Sequence, residues 1–261
     1  MRTPPWMGTP NPPANYAGQR MSAVPSVAQL PPPVVVAPPP PPPAPQPVQE
    51  GPSLHIEDLD GGAVGILPLN LGENVLGRNA SPLLAGDALL SGRHATIFVQ
   101  GTLAMVRDEG SRNGVFVRMA KGSAQALQDG DQFLAGRVLL RWDARNTGPL
   151  PGEEGPAALP EALTMGQLAL VLGRDVDPTL FPAPIPRAGI TLGRKRGDLR
   201  FPSDPWISGE HCRLGLEGDT PTLTDLESAN GTWFRIRGPV TVNHKDSLIL
   251  GRRVFHLYLP A

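Results

Sequence analysis

Gly77-Arg78, Ser91-Gly92-Arg93-His94 and Ser111-Arg112-Asn113-Gly114 recur further along the chain as Gly193-Arg194, Ser208-Gly209-Glu210-His211 and Ser228-Ala229-Asn230-Gly231. Arg78 and Arg194 lie 116 residues apart, and the pairs Ser91/Ser208, His94/His211 and Asn113/Asn230 are each separated by 117, so one loop has gained a single residue. Most of the residues between these positions differ. A spacing held while its surroundings change marks two copies of one domain, and marks the polar positions as parts of a site repeated in each copy.

Around these motifs the periodicity is that of short strands. Ala95–Val99, Leu103–Val106, Val115–Val117 and Val138–Trp142 are rich in β-branched and aromatic residues and bounded by Gly, Asp or Asn turns. Thr222–Thr224, Thr232–Phe234 and Val254–Leu259 repeat the pattern in the second copy. No amphipathic helical period stands out in either, and an all-β sandwich follows.

In order and spacing the constellation resembles the forkhead-associated (FHA) family, whose signature is Gly-Arg, then Ser-x-x-His, then Asn-Gly. Gly-Arg alone is not specific, since it also occurs at Gly136-Arg137, Gly173-Arg174 and Gly251-Arg252. Order, spacing and duplication carry the likeness. Asp108 and Asp225, each five residues before its Asn, add to it, as do the closing segments Leu127–Gly136 and Val242–Gly251. The resemblance implies two FHA-type antiparallel β-sandwiches in tandem. Proline-rich composition sets off a disordered tail (1–52) and a linker (146–162), between and after which the resemblance places a first FHA domain (53–145) and a second FHA domain (163–261).

The resemblance also implies phosphothreonine-peptide binding by loops at one end of each sandwich. Such a ligand brings nearly two negative charges and three acceptor oxygens, which call for a guanidinium fork, hydroxyl donors and main-chain amides. Arg78 and Arg194 would supply the fork, and Ser91 and Ser208 the hydroxyls. Arg93 and Arg112 would add positive charge in the first copy. By resemblance, Asn113 and Asn230 bond the peptide backbone, and Gly77, His94, Gly114, Gly193, His211 and Gly231 support the site. Each motif alone has a plainer reading: a solvated arginine, a local serine turn, an Asn-Gly hairpin. The conjunction, present twice, favours the site. Glu210 and Ala229 replace Arg93 and Arg112 in the second copy, so the first is expected to bind anions more strongly, unless Lys195 and Arg196 compensate. Leu89-Leu90 and Pro205-Trp206-Ile207 flank the serines and hint at apolar ligand preferences.

Composition excludes several classes. A net charge of −1 over 261 residues leaves no electrostatic footprint for nucleic acid or an anionic membrane. The single cysteine, Cys212, rules out an internal disulfide framework and a cysteine-based zinc site. It reads as a small buried hydrophobe. No signal-peptide pattern or membrane-length apolar run stands out, so a cytoplasmic location is expected. The tail, culminating in Pro38 to Pro43, reads as an extended spacer or a docking strip. No cofactor, metal or catalytic residue is expected. Ser-x-x-His lacks a nucleophile elbow and an oxyanion-hole motif, so the chain reads as a non-enzyme. Two functions remain: an adaptor reading phosphothreonine made by a Ser/Thr kinase, its avidity set by the linker, or a phosphate-independent interaction scaffold.

Overall fold

Leu103–Asp108 alternates exposed and buried residues, with Ala104 and Val106 turned into a core and Met105 turned out. That is the period-two signature of a strand covered on one face. In the computed structural model, which describes residues 51–145, 163–173 and 175–260, this pattern resolves into 19 strands and one short 3-10 turn at Pro178–Leu180. The tail and the linker expected at 146–162 lie outside the described residues, apart from Gly51 and Pro52 at the tail's end.

The first copy contributes β1 (Ser53–Asp58), β2 (Ala63–Pro68), β3 (Gly72–Leu76), β4 (Ala95–Gln100), β5 (Leu103–Asp108), β6 (Val115–Arg118), β7 (Ala124–Ala126), β8 (Gln132–Ala135) and β9 (Val138–Asp143). The second contributes β10 (Thr164–Leu172), β11 (Ala183–Pro186), β12 (Ile190–Gly193), β13 (Leu199–Arg200), β14 (Cys212–Glu217), β15 (Thr220–Asp225), β16 (Thr232–Arg235), β17 (Val240–Val242), β18 (Ser247–Leu250) and β19 (Arg253–Tyr258). Every segment that the sequence pattern marks as a strand forms one.

The pairing crosses between the copies. One sandwich sets the sheet β2-β1-β19-β18-β6 against β3-β4-β5-β17, and the other sets β11-β10-β9-β8-β16 against β13-β12-β14-β15-β7. Each copy therefore hands its last three strands to the other. The first core packs Leu54, Ile97 and Val106 with Leu248, Phe255 and Leu257. The second packs Leu127, Phe133 and Trp142 with Leu192, Leu214 and Leu223. A boundary at 146–162 thus describes the sequence repeats, whereas the packed cores are drawn from 119–235 and from 53–118 with 236–259. Exchange of like elements costs little in contact energy, because the incoming strands carry the same apolar pattern as those they replace.

The exchange is made at β6 and β16, which pair antiparallel with Trp233 opposite Arg118, Phe234 opposite Val117 and Arg235 opposite Phe116. The ladder is extended symmetrically by Met119 N–H donating to the Thr232 carbonyl at 2.8 Å and Ile236 N–H donating to the Val115 carbonyl at 3.0 Å. This pair fuses the two inner sheets into one of ten strands. Val115 and Val117 face the first core and Phe234 the second, while Phe116 and Trp233 turn to the opposite face and form a third cluster with Ile249. Where the chain leaves β16, Arg237 donates to the buried Asp131 carboxylate at 2.7 Å and lies over the Phe234 ring at 5.2 Å.

The exchange can be tested by cross-linking. Met105 and Thr241 are opposed across β5 and β17, at a strand-pair separation of roughly 4.5–5.5 Å that a disulfide spans. Without exchange, position 241 would face Thr222, the counterpart of Met105 one repeat later. The Met105→Cys/Thr241→Cys variant should oxidise to an intramolecular link between 105 and 241 on non-reducing peptide mapping, and Thr222→Cys/Thr241→Cys should not. The reverse result would return each strand trio to its own copy.

Candidate functional site

Each site is built from three loops of one copy. The first loop follows β3, where the Arg78 N–H donates to the Ser91 carbonyl at 3.0 Å; in the second copy Arg194 N–H donates to the Ser208 carbonyl at 2.8 Å. Glycine before the arginine is required by packing. A Cβ on Gly77 would stand 2.3 Å from the Gly92 carbonyl oxygen, and one on Gly193 would stand 2.3 Å from that of Gly209.

The second loop carries the serine and is locked by histidine. His94 is fully buried; its Nδ1 accepts the Ser91 N–H at 3.0 Å and its Nε2 lies 3.0 Å from the Gly114 carbonyl. His211 repeats this with Ser208 and Gly231 at 3.0 and 3.2 Å. An Nδ1 that accepts leaves the ring proton on Nε2, which then donates to the glycine carbonyl. One neutral imidazole therefore ties the serine loop to the Asn-Gly loop. Burial lowers the His211 pKa, which the Asp225 charge and the Gly231 carbonyl only partly oppose.

The third loop brings Asn-Gly. Asp108 Oδ1 accepts the Ser111 N–H at 2.7 Å, and Ser111 Oγ accepts the Gly114 N–H at 3.0 Å. Asp225, 1% exposed, accepts from Ser228 N–H and Oγ–H and from Thr232 Oγ–H. Main-chain amides cross from this loop to the serine: Arg112 N–H donates to Ser91 Oγ at 3.2 Å and Ala229 N–H to Ser208 Oγ at 3.0 Å. Each serine oxygen is thus held as an acceptor, and its own hydroxyl proton has no acceptor among the described residues. Asn113 Nδ2 donates to the Leu89 carbonyl at 2.7 Å and Asn230 Nδ2 to that of Trp206 at 2.8 Å, so both bridge two site loops.

The expected residues therefore converge, with differences in detail. Arg78 is exposed. Arg194 is half-buried; its Nη1 lies 3.4 Å from the Pro205 carbonyl, and its Nε is buried with no hydrogen-bond partner among the described residues. Arg112 is exposed. Arg93 is pulled away into ion pairs with Glu73 at 3.0 Å and Glu109 at 3.3 Å. Glu109 is itself depressed to a pKa of about 2 by the Thr96 hydroxyl and Arg107, so it stays charged and keeps Arg93 engaged. Glu210 lies 3.8 Å from Arg196. The charge contrast between the sites is therefore smaller than the sequence implies. Leu90 and Ile207 are core residues, leaving Leu89 and Trp206 at the surface of the serine loops. Cys212 is buried beneath the second site, where burial pushes its thiol pKa up.

Two pairs of contributors escaped the sequence reading. Asp87 and Asp204 are buried; each caps its own serine loop, through Leu89 N–H and Trp206 N–H, both at 2.9 Å. Each also accepts an N–H from a turn of the other copy, Arg252 to Asp87 and Arg137 to Asp204, both at 2.7 Å. Gly136-Arg137 and Gly251-Arg252, which looked like stray Gly-Arg recurrences, are those turns. The second pair is Arg118, whose Nη2 donates to the Ala229 carbonyl of the second site at 3.1 Å, and its mirror Arg235, which bonds Gln132 outside the site loops. Both pairs keep the 117-residue offset, the signal that could have found them.

The ladder register also sets the distance between sites. Asn113 shortly precedes β6 and Asn230 shortly precedes β16, and the two strands pair antiparallel. The two asparagines therefore lie at opposite ends of the ladder.

The His211 geometry predicts a pH response. A lowered pKa means the neutral ring's contribution is intact above its ordinary value of 6.5 and is lost as pH falls through the lowered value. Nitrogen-15 NMR of the ring at about pH 6 should report the neutral Nε2–H tautomer. A protonated ring at that pH would contradict the assigned hydrogen bonds.

A family model described as FHA domain matches twice, at residues 74–136 and 190–251. No curated protein matches the chain. The two matches follow the sequence copies, so the first spans strands that end up in both sandwiches. FHA domains are in general phosphothreonine-binding protein-interaction modules and not enzymes. With two matches to the family, an all-β architecture and the Gly-Arg, Ser-x-x-His and Asn-Gly loops gathered in each half, this chain carries two FHA domains in tandem.

Proposed function

We propose that this protein is a phosphothreonine-reading adaptor in Ser/Thr-kinase signalling, with one peptide site in each FHA domain. The observation that carries the proposal is that, in each copy, the motif arginine is tied by its backbone N–H to the serine carbonyl, the serine Oγ is held as an acceptor by a main-chain amide, and the asparagine reaches across to the serine loop. A phosphate oxygen is the acceptor that a guanidinium and a serine hydroxyl suit together. Arg78 and Ser91 take these roles in the first domain, and Arg194 and Ser208 in the second. Arg112 adds exposed charge there, whereas Arg93 does so only if it leaves Glu73 and Glu109. Asn113 and Asn230 exchange their loop carbonyls for the peptide backbone on binding. His94, His211 and the glycines of the motifs hold the loops.

The sites sit at opposite ends of one ladder, which favours bridging of two phosphorylated partners over capture of two close phosphates on one short peptide. The spacing is then a property of β6 and β16, and the 146–162 segment has little part in avidity. Partners are threonine-phosphorylated proteins, among them a Ser/Thr kinase or its substrates, met in the cytoplasm. No helix of the described residues is long and apolar enough to cross a membrane.

A phosphothreonine-oriented peptide library tests this reading. Wild-type protein should enrich phosphorylated over unphosphorylated peptides, and Arg78→Ala and Arg194→Ala should each remove one site, lowering its affinity by at least about tenfold. Binding that ignores both the phosphate and the arginines would make the domains phosphate-independent scaffolds.

A further inference from the structure

The first copy reaches directly into the second site. Arg118, at the end of β6, donates from Nη2 to the Ala229 carbonyl at 3.1 Å, although 111 residues separate them. Ala229 is the residue whose N–H holds Ser208 Oγ, so the cation grips the far side of the peptide unit next to that contact. The Arg118 guanidinium also lies 5.9 Å from the centre of the Trp233 ring, its ladder neighbour, and Trp233 Nε1–H donates to the Asn230 carbonyl at 3.2 Å. The pair thus holds two successive carbonyls, of Ala229 and Asn230. Gly231 is shaped around it: φ is +84°, and a Cβ there would stand 2.3 Å from Arg118 Nε.

The mirror position behaves differently. Arg235 packs on Gly114, where a Cβ would stand 2.3 Å from its Nε, but its Nη1 donates to Gln132 Oε1 at 2.9 Å. Trp233 is replaced by Phe116, which has no N–H to give. The bracing is therefore a property of the second site, the one that lacks an arginine before its asparagine.

Resting on the phosphothreonine reading above, we propose that Arg118 is a positioning residue of the second domain's peptide site, supplied across the strand exchange by the first copy. It fixes the Ala229-Asn230 backbone so that Ser208 and Asn230 are presented together, and it brings to that loop a cation that Ala229 does not provide. The second site is then complete only when both copies are present and exchanged.

The test uses the full chain carrying Arg78→Ala, so that only the second site reports, and a fluorescein-labelled phosphothreonine peptide pool as probe. Arg118→Met keeps an apolar stem over Trp233 and removes the donor and charge; it should weaken binding by about tenfold. Arg118→Lys, which restores a cation able to reach the carbonyl, should recover most of that loss. Arg235→Met, at the mirror position, should change second-site affinity by less than about twofold. Unfolding midpoints measured on each variant confirm that folded protein is compared. Affinity unchanged in Arg118→Met while Arg194→Ala abolishes binding would overturn the role of Arg118 and leave the phosphate reading standing. Equal losses in the Arg118→Met, Arg118→Lys and Arg235→Met variants would also overturn it, since that pattern marks general packing. No loss with Arg194→Ala would remove the phosphate reading and this inference with it.

Discussion

The antiparallel pairing of β6 with β16 is the contact on which the architecture turns. Only a few ladder positions long, it joins the two inner sheets and sends each chain crossing into the opposite sandwich. Its hydrogen bonds are ordinary, and what makes it decisive is connectivity. Once β6 lies beside β16, β7 through β9 are delivered to the second core and β17 through β19 to the first, and neither core closes without strands from both copies. The aromatic pair Phe116 and Trp233 seals the outer face of this junction.

That constraint reaches the sites through short paths. The loops bearing Asn113 and Asn230 run straight into β6 and β16, so the ladder sets where the asparagines stand. The exchanged turns at Arg137 and Arg252 cap the buried carboxylates of Asp204 and Asp87, which shape the serine loops. A buried carboxylate without these amides would be left with unmet acceptors at a cost of a few kcal/mol, so each site draws part of its rigidity from the other copy. Sites set at the two ends of one ladder have their spacing fixed by that ladder. A flexible tether between independent domains would leave that spacing free.

Within each site the chemistry is one of division of labour. Neutral histidine, buried and bonded at both ring nitrogens, ties two loops together and is not available to a ligand. The serine oxygen is pinned by a main-chain amide so that its proton is the part left over. Arginine remains as the strong donor, half-buried in the second domain and exposed in the first. The nearby charges that looked important in the sequence, Arg93 and Glu210, are largely occupied with partners of their own, Glu73 and Glu109 for the one and Arg196 for the other. Exposed pairs of this kind are weak, but they compete with a ligand for the same charge.

Much of this was legible in the amino-acid order by itself. The duplicated motif with its 117-residue offset determined that there are two domains of one family, and the alternation of β-branched residues determined that they are built of strands. The convergence of Arg, Ser, His and Asn in each half followed from the motif as well, because those residues sit on loops that a sandwich must gather at one end. What the order of residues could not decide was which copy of a strand fills which core. Phe133, Ala135, Leu140 and Trp142 in β8 and β9 correspond in spacing to Leu248, Leu250, Phe255 and Leu257 in β18 and β19, and all eight are buried core residues, so local sequence is satisfied by exchanged and unexchanged pairing alike. The contact that belongs to the exchanged form alone is tertiary: the β6–β16 ladder, which has no counterpart when each trio of strands stays with its own copy. For the same reason the part played by Arg118 at the second site was invisible in the sequence, where it stands beside the first site's motif and 111 residues from the loop it holds.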